Sequence, residues 1–410
     1  MRILHINKFL YRRGGAEGYM LDLASRQAAA GHDVAFFSTK HPLNESSTYE
    51  RFFPDYMELN PPPASWSERA RAAANILYSR SAEIGLARVV DLHRPDVVHL
   101  HNIYHHLSPS VLRPVRARRI PSVMTLHDFK LACPTHRFMA GGRVCEACVP
   151  RRFFMASLKR CHEGSFSMST LNGVELAAHT LFRMYEPVDL FLCPSRFMLA
   201  KMTAAHVFPR RLRWVPNFVD TSAIDPKDTP GGGVVYAGRL SEEKGVETLI
   251  RAAPLVDAHI DVVGDGPDRA ALEHLAERIG AADVTFHGHV SRDAVHHLVR
   301  SAAVAVMPSR GYENAPMGIL EAFACGVPVV GTAHGGIPEL IDPGVDGDLV
   351  TPGDEIALAR SLTRFTADPE GAFAQGEVAR RKVEAAFSPD EHLERLDGAY
   401  REATSMAGRS

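Results

Sequence analysis

Two parallel-sheet α/β domains, facing each other across a cleft, are the fold this sequence predicts. Short apolar strand signals alternate with helix signals along both halves of the chain, a pattern that implies parallel sheets covered on both faces. A turn-rich break, Thr221–Gly233 (T-S-A-I-D-P-K-D-T-P-G-G-G), separates two such series. The chain has 410 residues, 45% of them hydrophobic, which suits two cores on a length prior of roughly 150 residues per domain.

In the first half, Ile3–Ile6 reads as a buried strand. A helix over 16–30 follows, with Met20, Leu21, Leu23 and Ala24 inward, then Gly31-His32 as the turn into Val34–Phe37. Asp96–Leu100, Val123–Leu126, Val188–Cys193 and Leu212–Val215 complete this series. After the break, Val234–Ala237 is a strand and 244–252 a helix. Ala258–Val263, Val284–Phe286, Val304–Met307 and Val327–Val330 are further strands, and the tail beyond Asp354 is helical. These signals place the first domain at 1–205, with a loop-like insertion at about 131–165. The second domain is placed at 206–387, and a final segment at 388–410.

The composition excludes some partners. With 46 Lys and Arg against 48 Asp and Glu, the formal charge is −2, so the chain lacks the electrostatic footprint of a nucleic-acid binder. The opening M-R-I-L-H-I-N-K-F-L reads as a strand rather than a signal peptide. No apolar run approaches the ~18 residues of a membrane span. The expected location is the cytoplasm, with at most peripheral contact with the inner membrane surface. Arginines and lysines do cluster at 113–119 and 151–160, and a solvated face is the simpler reading of them.

Ligands of open α/β sheets bind beyond the carboxyl ends of the strands, and the chemistry-bearing motifs fall there. In Tyr312–Val330, Glu313 and Glu321 are separated by seven residues, with a helix start near Met317. Free backbone N–H groups at such a start make an anion site. Asn314, Ala315, Pro316, Met317, Gly318 and Ile319 are therefore assigned to substrate binding. The two carboxylates can accept hydrogen bonds from sugar and ribose hydroxyls. In A-G-R-L-S-E-E-K-G, Arg239 and Lys244 flank another helix start, where a forked guanidinium and a mobile ammonium suit a diphosphate.

Further loops complete the candidate site. In K-F-L-Y-R-R-G-G-A-E-G, Gly14 and Gly15 permit positive φ and close backbone approach before a helix, with Glu17 beside them. Gly264, Asp265 and Gly266 (V-V-G-D-G-P) allow a planar base to lie against the backbone, and His287 in V-T-F-H-G-H-V sits on a loop able to read a base edge. His127 ends a strand in T-L-H-D-F-K, with Asp128 to orient its ring or cap a turn, and His101 at another strand end is placed on the acceptor side. Cys133, Cys145, Cys148 and Cys161 are separated by eleven, two and twelve residues. Four thiolates around a C-x2-C pair match structural zinc; reduced thiols and disulfides are the rival readings.

The ordered set G-G-A-E, T-L-H-D, G-R-L-S-E-E-K-G, G-D-G-P and E-x7-E resembles family 4 glycosyltransferases, and the resemblance covers nearly the whole chain apart from the cysteine insertion. It implies the GT-B fold, two Rossmann-like domains with the last helix crossing back onto the first. It also implies retaining transfer of a sugar from a nucleotide-diphosphate sugar. Arg239, Lys244 and the N–H groups near Met317 and Gly318 would hold the diphosphate, Glu321 the ribose, and Glu313 the donor sugar. His127 would position substrate, the leaving phosphate would take the acceptor proton, and no metal would be needed at the donor site. Glu313-Asn314-Ala315-Pro316 departs from the commoner E-G-F-G of this family. The acceptor stays open between a lipid carrier, a polysaccharide and a natural product. A GT-B-fold epimerase and a catalytically silent sugar-nucleotide binder are the alternatives. An NAD dehydrogenase is disfavoured because the first glycine loop lacks G-x-G-x-x-G.

Overall fold

The computed structural model describes residues 1–58 and 65–408. Two six-stranded parallel sheets dominate it. In the first, β1 (Arg2–Ile6), β2 (Asp33–Phe37), β3 (Val97–Leu100), β4 (Ser122–Thr125), β7 (Leu190–Cys193) and β8 (Leu212–Trp214) lie in the order β2-β1-β3-β4-β7-β8. Between β4 and β7 a small antiparallel hairpin, β5 (Met139–Ala140) and β6 (Arg143–Val144), marks the insertion. The second sheet joins β9 (Val234–Ala237), β10 (Ile260–Val263), β11 (Val284–Gly288), β12 (Val304–Met307), β13 (Val329–Thr332) and β14 (Gly347–Val350) in the order β11-β10-β9-β12-β13-β14.

The central strands are short runs of valine, leucine and isoleucine because helices cover both faces. Val234, Val235, Ile260, Val304 and Val330 are fully buried. Register pairs Ile3 with Val97 and Val34, and Ile260 with Val234 and Val284. In both sheets the neighbour order changes direction beside the first strand of the domain, so the crevices that open there face each other.

The last helix, Pro389–Ala407, returns to the first domain. Leu396, Ala399, Tyr400 and Ala403 are buried against Ile3, Tyr19, Leu23 and Val97. The crossing segment is tied at both ends. Val219 N donates to Phe387 O, Arg26 pairs with Asp220, and Arg380 donates to the carbonyls of Thr221, Ile224 and Ala324. β14, like the β5–β6 hairpin, is a strand without a sequence signal. It is a four-residue edge, G-D-L-V, whose Asp348 accepts from Ser361 and Arg364 and breaks the apolar pattern.

Candidate active site

The carboxyl ends of the two sheets enclose a pocket. His127, Asp128 and His136 line it from one side, and Arg239, Lys244, Glu313 and Asn314 from the other. Its most defined polar contact is a shared proton-donor pair on Glu313. Lys244 Nζ donates to Glu313 Oε1 at 2.8 Å and Ser309 Oγ donates to the same oxygen at 2.7 Å. The Glu313 side chain is only 13% exposed, so these donors fix its direction. Arg239 is exposed at the mouth and has no ion pair among the described residues. Lys244 closes a single tight turn, Glu242–Lys244, and Gly245 then takes φ +66° before the helix Val246–Ala252. Any Cβ at Gly245 would come within 2.1 Å of Pro308 O, so both the conformation and the close approach require glycine.

The helix Met317–Ala324 starts without a side-chain cap. Its first N–H groups, at Met317 and Gly318, have no partner inside the helix, while Ile319 N already donates to Pro316 O. The glycine loop of the first domain reaches this point, since a Cβ at Gly15 would sit 3.7 Å from Met317 Cγ. Gly14 is extended (φ −167°), and neither Gly14 nor Gly15 takes positive φ. The expected left-handed turn is therefore corrected: close approach alone accounts for this pair. Glu17 is buried under the loop and accepts from Asn7 Nδ2, so it supports the loop from below.

Several assigned residues prove to be braces. Asn314 spends its amide on the interdomain contact, donating from Nδ2 to Leu126 O at 2.8 Å and accepting from Ser195 Oγ at 2.8 Å. Ala315 O accepts from Asn217 Nδ2. Gly264 (φ +130°) and Gly266 would drive a Cβ to within 1.9 Å of Gly238 O and 2.2 Å of Leu240 O. Those glycines pack one loop on the Arg239 loop, a different reason from the planar base expected. Asp265 caps its own turn at Gly266 N. His287 is bonded to Asp261 at 2.6 Å on the neighbouring strand and does not line the pocket. Asp128 caps a turn by accepting from Lys130 N, and burial raises its pKa. Glu321 meets Arg292 at 3.4 Å, and Arg292 also approaches Asp22 of the first domain at 3.8 Å. Burial raises the pKa of Glu321.

His127 is half-buried at the pocket wall, and His101 lies beneath it, fully buried and away from the acceptor surface to which it was assigned. Their rings stack, with His101 Nδ1 3.0 Å from His127 Nε2. Burial lowers the His127 pKa to about 3, so the ring is neutral at neutral pH.

The insertion forms the remaining wall. Glu146, inside the C-x2-C pair, accepts from Lys201 Nζ at 2.5 Å and from Tyr312 Oη at 2.8 Å. Arg137 approaches Glu243 at 3.5 Å, and Arg310 donates to Gly142 O. It thus braces the residue preceding Glu313, on the side of Lys244 and Glu313. The four cysteines are free thiols, and Cys133, Cys161 and Cys145 lie near enough to Cys148 to act on its ionisation. Burial first, and then the neighbouring Cys133, Cys161 and Cys145, push the Cys148 thiol up to about 12. Tyr312, Glu146, Ser195 and Arg292 were not legible in the sequence, because each acts through a partner far along the chain, and Ser309 was missed although its partner Glu313 lies four positions on.

Two facing parallel-sheet domains, with a cation pair, a caged glutamate and a capless helix at their cleft, have the GT-B fold. Residues 13–223 match the model of Glycosyltransferase Family 4, just over half the chain, and residues 231–368 match that of Glycosyl transferases group 1. The chain belongs to glycosyltransferase family 4. It is 30% identical to a 2-deoxystreptamine N-acetyl-D-glucosaminyltransferase of Streptomyces fradiae, over 72% of this chain and 67% of that one. It is 31% identical to a GDP-mannose-dependent alpha-(1-6)-phosphatidylinositol monomannoside mannosyltransferase of Mycolicibacterium smegmatis, over 53% and 62%. Among solved structures, a sucrose-phosphate synthase from Thermosynechococcus elongatus superimposes with a TM-score of 0.72, at 21% identity over 99% of both chains. The chain spans about half the length of several curated relatives it matches.

Proposed function

We propose that the protein transfers a sugar from a nucleoside diphosphate sugar to a hydroxyl acceptor with retention of anomeric configuration. The observation that carries this reading is the Lys244–Glu313–Ser309 contact beside the uncommitted Arg239, across the pocket from His127. A diphosphate entering the pocket would meet the Arg239 fork, the Lys244 ammonium and the open N–H groups of Met317 and Gly318. These are donors for the charge that grows as the sugar–phosphate bond breaks. Glu313 would take the donor-sugar hydroxyls and Glu321, drawn off Arg292, the ribose. The leaving phosphate oxygen is the proton acceptor in this reading. The acceptor hydroxyl would therefore pass its proton to that phosphate oxygen as the new C–O bond forms on the same face. The two relatives act, by name, on a lipid and on an aminocyclitol, so the acceptor class stays open.

A panel of UDP-, GDP-, ADP- and dTDP-sugars, followed by thermal shift and nucleotide release, tests the reading. One donor should raise the melting temperature and be consumed with an added acceptor. Stabilisation by a sugar nucleotide without any turnover would favour a silent binder, and interconversion of the sugar nucleotide an epimerase.

A structural zinc on Cys133, Cys145, Cys148 and Cys161 is part of the same proposal, supported by the C-x2-C spacing and by the gathering of the thiols. Their sulfurs would have to draw closer, since among the described residues the group whose ligand atoms meet within 4.8 Å is His5, His99 and His101. Purified protein should carry about one zinc, lost in Cys145→Ser together with part of its thermal stability. A metal-free protein of equal stability would reject it.

Peripheral membrane contact has its own support. No described helix is long and apolar enough to cross a membrane. The outer face of the helix Phe166–Leu181 exposes Phe166, Val174 and Leu181, with Phe154, Leu158 and Phe182 close by in the chain. Exposed Arg151, Arg152, Lys159, Arg160 and Arg183 flank it, a combination suited to an anionic bilayer. Phe166→Ser/Leu181→Ser should abolish sedimentation with phosphatidylglycerol vesicles. Equal sedimentation of the variant, or none by the wild type, would remove the membrane from the proposal.

A further inference from the structure

Beneath the pocket, His5, His99 and His101 bring their ring nitrogens within 4.8 Å of one another. This is not a cation site, because all six nitrogens already have partners. His5 Nε2 meets Gln27 Oε1 at 2.7 Å and His5 Nδ1 meets His101 Nε2 at 3.0 Å. His99 Nδ1 meets Tyr400 Oη and His99 Nε2 meets Thr125 Oγ1, both at 2.8 Å. His101 Nδ1 takes His127 Nε2 at 3.0 Å.

The proton on each bond can be deduced from one fixed end. The Gln27 amide donates from Nε2 to Tyr400 Oη at 3.0 Å and accepts at Oε1 from His5 Nε2–H. Tyr400 O–H therefore goes to the bare Nδ1 of neutral His99, whose Nε2–H donates to Thr125 Oγ1. His5 Nδ1 is bare and accepts from His101 Nε2–H, and His101 Nδ1 is bare and accepts from His127 Nε2–H. Burial keeps His5 near pKa 4, and His99 and His101 well below the ordinary value, so no imidazolium interrupts the sequence. A neutral imidazole carries one N–H, so each step forces the next.

We propose that this hydrogen-bonded chain, anchored on the Gln27 amide and on Tyr400 of the C-terminal helix, locks His127 as its Nε2–H tautomer and presents Nδ1 to the pocket as an obligate acceptor for a substrate hydroxyl. That the hydroxyl belongs to a sugar or its acceptor rests on the transferase reading; the tautomer does not. His101, His5, Gln27 and Tyr400 are positioning residues in this scheme, and none of them touches substrate. The last helix then does more than cover the sheet: through Tyr400 it orients the ring beside the pocket.

Nitrogen-15 NMR of histidine-labelled full-length protein at neutral pH tests this directly. In the wild type, His127 should show a bare, pyridine-type Nδ1 and a protonated Nε2. Tyr400→Phe removes the hydroxyl that holds the Gln27 amide, so His127 should show averaged nitrogens although it lies four hydrogen bonds away. Its kcat should fall about tenfold, the scale of one neutral hydrogen bond, with little change in donor KM. A protonated Nδ1 in the wild type, or an unchanged His127 tautomer in folded Tyr400→Phe, would overturn the proposal. If Tyr400→Phe does not fold, Gln27→Leu carries the same expectation. A correct tautomer in a protein that consumes no sugar nucleotide would sink the transferase reading and leave the network standing.

Discussion

Lys244→Ala should lower turnover by roughly a hundred- to a thousandfold, the usual scale for removing one group that stabilises developing charge. Donor binding should weaken less. The loss has two parts in this geometry. The departing diphosphate loses an ammonium, and Glu313 loses the donor that aims its Oε1, keeping only Ser309. Glu313→Gln should be similarly damaged, because an amide can face Lys244 only with its oxygen and then turns N–H groups where the sugar needs acceptors. Both variants should fold, since the pair lies at the pocket surface with the Lys244 side chain 27% exposed. Single-turnover assays with the matching donor, read beside circular dichroism, check this. Near wild-type turnover in either variant would remove the pair from the reaction.

Lys130→Met should destabilise the first domain by about 3–5 kcal/mol, the cost of leaving a buried charge without its partner. Lys130 and Glu175 form an ion pair at 2.7 Å with side chains 2% and 1% exposed, and Lys130 also donates to Pro134 O. His105 lies 3.4 Å from Glu175 and cannot replace a fixed cation, because burial lowers its own pKa. Burial would raise the pKa of Glu175, but Lys130 and then His105 outweigh it and hold the carboxyl far below its usual range. The sign follows. A depressed folded pKa contributes stability above the unfolded value of about 4.3, and that stability falls as pH drops below it. Wild type should therefore show a steep acid transition that Lys130→Met/Glu175→Leu flattens, with the double variant more stable than Lys130→Met alone. Chemical denaturation across pH measures both effects; a Lys130→Met protein as stable as wild type would show that the pair contributes nothing.

The legible part of the site was chemistry tied to local backbone. A cation just before a helix and a carboxylate just ahead of a helix start are both short-range features. Lys244, Arg239 and Glu313 could be read for that reason. His101 was misplaced because a histidine at a strand end looks the same whether it faces a cleft or a neighbour, and the difference lies in Gln27 and His5. Gly264 and Gly266 were recognised as special, but for a reason the neighbouring loop supplied. The insertion was noticed for its cysteines, while its contact through Glu146 with Tyr312 links residues 166 positions apart.

By itself the sequence determined two parallel α/β domains and the turn-rich break between their strand series, because strand runs, turns and helix starts are set by neighbours within a few positions. Only the tertiary structure decided which groups share a proton. Lys244 with Glu313, Asn314 with Leu126, and the line from Tyr400 to His127 depend on strands and helices from distant parts of the chain arriving within 3 Å of one another, and no local pattern encodes that approach.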